Sequence, residues 1–82
     1  MAKTWTYKYG SNTIEVKNGV AGEELYVNGQ LQDKKTGIKF SSDLKGKLDS
    51  GEEIKASLGG AITVKCNLFV NNELQAPVSE KD

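Results

Sequence analysis

Apolar and polar positions alternate with a period of two along most of this chain, which is the spacing of strands half-buried on one face. Trp5, Tyr7 and Tyr9 alternate with Thr4, Thr6 and Lys8. After Gly10-Ser11-Asn12, Ile14 and Val16 alternate with Thr13, Glu15 and Lys17. These runs predict a first hairpin, about 4–9 with 13–18. A third strand is expected over Glu24–Val27. Asn28-Gly29 is a strong hairpin signal, because both residues of the tightest turns need positive φ. Gln30–Asp33 returns, and Asp33-Lys34-Lys35-Thr36-Gly37 reads as a polar connector.

Beyond the connector, Ile38 and Phe40 open a second set of strands. Leu44 and Leu48 fit either one helical turn or a strand, and Gly46 with its glycine-rich flanks favours the strand. In 61–70, Ile62, Val64, Cys66, Leu68 and Val70 share one face. Its expected partner is 52–58, with Ile54, Ala56 and Leu58 in phase. A three-residue loop (59–61) keeps the apolar faces together, pairing Leu58 with Ile62, Ala56 with Val64 and Ile54 with Cys66, and bringing Lys55 near Lys65. Pro77 ends pairing for want of a donor, and the polar tail 78–82 is expected to fray.

The chain also nearly repeats itself. Residues 25–32 read LYVNGQLQ and residues 68–75 read LFVNNELQ. Each copy is a strand, a turn dipeptide and the start of a return strand. The expected fold is therefore all-β: an antiparallel sandwich of about seven to eight short strands, built from two similar halves. At 82 residues, a single small domain is expected.

Composition narrows the chemistry. There are 11 basic and 11 acidic residues, so no long-range field favours nucleic acid or an anionic membrane. Every basic residue is lysine. The absence of histidine removes Ser-His-Asp triads, Cys-His dyads and imidazole metal sites from a single chain. The absence of arginine removes the bidentate fork for phosphate or carboxylate. One cysteine, Cys66, permits no intrachain disulfide. The first ten residues lack the apolar core of a signal peptide, and no run is long enough to span a membrane. A soluble cytoplasmic protein is expected, with no enzymatic activity, cofactor, metal or membrane partner.

Three groups of residues could carry binding. Trp5, Tyr7 and Tyr9 could form an aromatic platform or fill the core. Tyr26 and Phe69, matched by the repeat, lie out of phase with the apolar residues beside them, so a bulge re-phases the strand or a partner covers the second face. Tyr26, Phe69 and, more weakly, Trp5 are thus the candidates for contact with a protein partner or a second copy. Lys34, Lys35, Lys39, Lys45 and Lys47 cluster around Phe40, with Asp43 the only acid between 34 and 47. They form an alternative carbohydrate- or nucleic-acid-binding site, although lysines on strand surfaces also block edge-to-edge aggregation. The pairs Glu23-Glu24 and Glu52-Glu53 point to opposite faces of their strands, which is unsuited to two-carboxylate hydrolysis. Cys66 is expected to be a buried, inert thiol.

The order of features resembles the β-sandwich domains of Fas apoptotic inhibitory molecule. The matching residues are Trp5, Gly10, Ile14, Val16, Val27, Asn28 and Gly29, followed by Phe40, Gly51, Gly59, the strand 62–66 and the closing LFVNNEL. The resemblance implies a compact antiparallel sandwich of about eight strands that is non-enzymatic and acts through protein contacts. It supplies no catalytic residue. The chain is shorter than that family's two-domain proteins and lacks their linking sequence.

Overall fold

The computed structural model describes residues 3–37, 41–60 and 63–82. Among them are nine strands and no helix: β1 (Lys3–Tyr9), β2 (Asn12–Gly19), β3 (Gly22–Val27), β4 (Gln30–Thr36), β5 (Ser41–Lys47), β6 (Glu53–Gly59), β7 (Lys65–Val70), β8 (Glu73–Gln75) and β9 (Ser79–Lys81). They form two antiparallel sheets, ordered β4-β3-β2-β1-β9 and β5-β6-β7-β8. The expectations for Lys39, Phe40 and Ile62 fall outside the described residues.

Each of the first eight strands pairs with its sequence neighbour inside its own sheet, so each half of the chain forms one sheet. The period-two pattern then decides what lies between them. Trp5, Tyr7, Ile14, Val16, Leu25 and Val27 point inward from the five-stranded sheet. Leu44, Ile54, Ala56, Leu58, Leu68 and Val70 meet them from the four-stranded sheet. Val64 and Cys66 are partly buried against this core. Such side chains each contribute about 1.5–3 kcal/mol by leaving water, which is where the fold draws most of its stability.

The two matched segments occupy corresponding places, the third and fourth strands of each sheet. Their asparagines make the same contacts. Asn28 (φ 50°) donates its backbone N–H to the Thr13 carbonyl at 2.8 Å, and its Oδ1 accepts the Thr13 N–H at 2.9 Å. Asn71 (φ 49°) treats Glu53 in the same way, at 2.8 and 2.9 Å. Asparagine suits both demands: it tolerates the left-handed region, and its short carboxamide reaches an adjacent strand. The contact ties the end of each third strand to the start of each second strand. It sets Ile14 opposite Val27 and Ile54 opposite Val70.

This register corrects the sequence-based one. Leu58 lies opposite Cys66, Ala56 opposite Leu68 and Lys55 opposite Phe69. The expected pairing is displaced by four residues, an even number, so the inward face survives while every cross-strand neighbour changes. The hairpin is anchored from its far end by Asn71, β6 ends at Gly59 and β7 begins at Lys65. As a result β7 is shorter than the expected 61–70 run.

The tail is also corrected. Residues 79–81 form β9 against β1, with Thr4 opposite Lys81 and Thr6 opposite Ser79. The Val78 N–H donates to the Thr6 carbonyl at 2.7 Å, and Lys3 pairs with Glu80 at 2.9 Å. Because Pro77 ends β8, the chain is free to cross to the other sheet instead of fraying. This crossing adds the ninth strand to the seven or eight expected.

The sheets join where β4 meets β5. A bulge opposite Leu25 and Tyr26 inserts Gln32 as an extra residue in β4. Asp33 Oδ2 then accepts the Lys45 N–H of β5 at 2.8 Å, and its Oδ1 accepts the Lys34 N–H at 2.8 Å. Gly46 lets the strands close up, since a β-carbon there would lie 3.1 Å from Gln32 Cβ and 3.2 Å from a Leu25 methyl.

Replacing Asn71 by alanine should cost about 1–2 kcal/mol, combining a lost hydrogen bond with left-handed strain. Asn71→Gly should recover roughly the strain portion. Urea denaturation of the two variants, with Asn28→Ala and Asn28→Gly as the matching pair, measures this. Equal stability of Asn71→Ala and wild type would show that the asparagine does not hold the register.

Candidate functional site

The outer faces of the two sheets carry corresponding rows that differ in charge. On the five-stranded sheet, Thr6, Glu15, Tyr26 and Leu31 form one cross-strand row. On the four-stranded sheet the corresponding row is Lys45, Lys55, Phe69 and Leu74. Tyr26 and Phe69 therefore hold equivalent positions on opposite sides of the molecule, and the structure does not bring them together.

Tyr26 is locally occupied. Its hydroxyl donates to Glu24 at 2.9 Å, and the Lys17 ammonium sits 4.8 Å from its ring centroid. The bond to Glu24 raises the Tyr26 pKa above the ordinary phenol value. Lys34 Nζ lies 3.8 Å from the other Glu24 oxygen. Glu24 is thus engaged on this face, whereas Glu15 has no ion-pair partner among the described residues.

The Phe69 face differs. Lys45 and Lys55 are directly opposed across β5 and β6, with Phe69 next in the row. Among the described residues, no acid lies within ion-pair distance of Lys45, Lys47 or Lys55. Like charges opposed on a sheet lower its stability by a few tenths of a kcal/mol. Beside them runs a groove of about 590 Å³, lined by Lys45, Lys47, Lys55, Phe69 and Ile54, with Glu53 the one acid among its described lining residues. Phe69 is partly buried, while Leu74, the next residue in the row, is 63% exposed.

The remaining candidates are dispersed. Trp5 is 2% exposed and Tyr7 1%, so both fill the core, and neither a Trp5 contact surface nor an aromatic platform survives. The alternating strand that suggested the platform is the same signal that buries it. Lys34 belongs to the Tyr26 face. Lys35 lies beside Ser42 and Asp43 at the join between sheets. Of the described members, Lys45 and Lys47 reach the groove while Lys34 and Lys35 do not, so the lysine cluster is divided between surfaces. Lys55 has no place in the sequence-based candidates. Its relevance comes from a register that places it between Lys45 and Phe69.

The interior holds one buried charged residue among those described, Glu23, whose carboxylate accepts the Ser42 hydroxyl from β5. Nearby, the Tyr7 hydroxyl donates to Cys66 Sγ at 3.4 Å. Burial pushes the Cys66 thiol up to about 11 and raises the Tyr7 phenol as well. A thiol in that environment is a poor nucleophile.

No family model, curated protein sequence or solved structure matches this chain. Among the described residues, no helix is long and apolar enough to cross a membrane.

With its pKa near 11, Cys66 is ionised to roughly one part in a thousand at pH 8. Alkylation by iodoacetamide should be at least tenfold slower in the native protein than in urea at that pH, and should accelerate as pH rises towards 11. Equal native and denatured rates at pH 8 would show the thiol to be accessible and ionised.

Proposed function

We propose that this chain is a small, non-enzymatic protein-interaction module that holds its partner on the outer face of β5, β6 and β7, around Phe69. The observation that carries this reading is the uncompensated Lys45–Lys55 pair beside that ring. The corresponding pair on the other sheet is Thr6 and Glu15, and its aromatic ring is already engaged by Lys17 and Glu24. On one face the ring is engaged by its neighbours, while on the other an apolar ring and two cations outside ion-pair distance of any described acid lie side by side. Such a surface gains most when a partner supplies the missing apolar cover and negative charge.

The chemistry of the chain supports a binding role over catalysis. It has no imidazole to shuttle protons near neutrality and no guanidinium to clamp an oxyanion. Glu23 is buried against Ser42, and Glu24 sits on the opposite face, so that carboxylate pair cannot act on one substrate. The thiol is masked. The lone unpaired cysteine accords with a reducing compartment such as the cytoplasm. The two-sheet antiparallel architecture is also the one implied by the resemblance to Fas apoptotic inhibitory molecule domains, which act through protein contacts.

Selection of random peptides displayed on phage tests this proposal. Binders selected on the wild-type protein should be lost with Phe69→Ala and with Lys55→Glu, and retained with Tyr26→Ala. Lys55→Glu should be no less stable than wild type, and should gain about 0.5 kcal/mol by relieving the opposed lysines. Binders that survive both Phe69→Ala and Lys55→Glu would place the interaction elsewhere and overturn the proposal.

A further inference from the structure

We infer that the Phe69 face recognises an extended peptide about five residues long, with acidic residues at one end and apolar residues at the other, lying across the strands rather than along them. This deepens the reading of that face as a protein-binding surface and rests on it. The geometry is that of the row itself. Lys45, Lys55, Phe69 and Leu74 succeed one another across four adjacent strands. Three inter-strand spacings make the row about 14 Å long, and five extended residues cover a similar distance. The order along the row is cation, cation, aromatic, aliphatic. Alternate side chains of an extended peptide face the same way, so residues 1, 3 and 5 of the ligand meet the row, with a carboxylate at position 1 over the two lysines and an apolar side chain at position 5 over Phe69 and Leu74.

The surroundings argue for this segment and against a continuous polyanion. Asp43 lies two residues before Lys45 and Glu53 two residues before Lys55, both on the same outer face. They border the opposed lysines on the two sides along the strand direction. A nucleic-acid strand carries charge at every residue and prefers a cationic track of several phosphates with an open ring for stacking. Here the cationic stretch is short, with Lys47 one row beyond Lys45 and set opposite Glu53, it ends at Phe69, and the ring is partly buried. Leu74 extends the apolar end with an exposed side chain that no described group covers. A carboxylate at the lysine end meets two ammonium groups in one row, and an apolar side chain at the other end removes both Phe69 and Leu74 from water.

Fluorescence anisotropy with labelled synthetic peptides tests the order directly. The probe is a capped pentapeptide of two glutamates, one serine and two leucines, in that sequence. Its control has the same composition in the order glutamate, leucine, serine, leucine, glutamate, so that neither of its faces carries both a carboxylate and a leucine. The ordered peptide should bind about tenfold tighter than the interleaved one. Charge reversal at both Lys45 and Lys55 should remove that preference, as should raising the salt to 1 M, which shortens electrostatic reach to about 3 Å. Leu74→Ser should weaken the ordered peptide several-fold without altering thermal stability. Equal binding of the two peptides would overturn the inference. So would tighter binding of a ten-nucleotide oligothymidine, which would make the face a nucleic-acid site. If neither pentapeptide binds while phage-selected peptides still depend on Phe69, the ordered-charge inference fails and the docking face stands. If nothing depends on Phe69, both fail.

Discussion

Register is the constraint on which the rest of this molecule depends, and two asparagines set it. Side chains alternate along a strand, so a slip of one residue would turn a sheet's apolar face to water. A slip of two would spare the core but rearrange every neighbour on the outer surface. Asn28 and Asn71 resist both by bonding the end of one strand to the start of another through main chain and side chain together. The consequence for Phe69 is direct. With Asn71 on Glu53, the ring falls opposite Lys55; two residues away, it would face Ser57 or Glu53. The character of the outer surface is therefore a product of a turn at the end of the sheet.

The two halves show how one architecture can be put to different uses. Their inward positions are interchangeable in kind, with Ile14 and Ile54, Leu25 and Leu68, and Val27 and Val70 in equivalent places. Their outward positions differ in charge. Glu15 in one sheet corresponds to Lys55 in the other, next to an aromatic ring in both cases. Shape is held by the first set and surface chemistry by the second, so change in one need not disturb the other. Gly46 is an instructive exception on the inside. It stands where the other half has Tyr7, and its lack of a side chain is what lets β5 approach β3 and β4.

Much of this was readable in the residues themselves. The alternation of Trp5 and Tyr7, Ile14 and Val16, and Leu25 and Val27 encodes strands and their buried face, and Asn28-Gly29 encodes a turn. The pairing partner across the Gly59–Lys65 connection was not readable. Several even-numbered registers keep Ile54, Ala56 and Leu58 on the core side, and the residue that chooses among them, Asn71, lies at the other end of the hairpin. The tail resisted for a similar reason. Ser79-Glu80-Lys81 has no apolar pattern, and it becomes a strand only because β1 offers an unpaired edge from the opposite end of the chain. The candidate site was half visible: Phe69, Lys45 and Lys47 stand out by type, whereas Lys55 acquires meaning only from what lies on either side of it.

The way the sheets are finished bears on how these molecules tolerate one another's company. An open strand edge invites any other strand to extend it, and long open edges are the usual route to fibrils. Here β9 lies along β1, and the Asp33 carboxylate takes the Lys45 amide of β5. The outermost strands on the far sides are β8 and β9, each only three residues long. A neighbour arriving at either finds too short a ladder to hold, so crowding should bring copies together through side chains alone and leave their backbones apart.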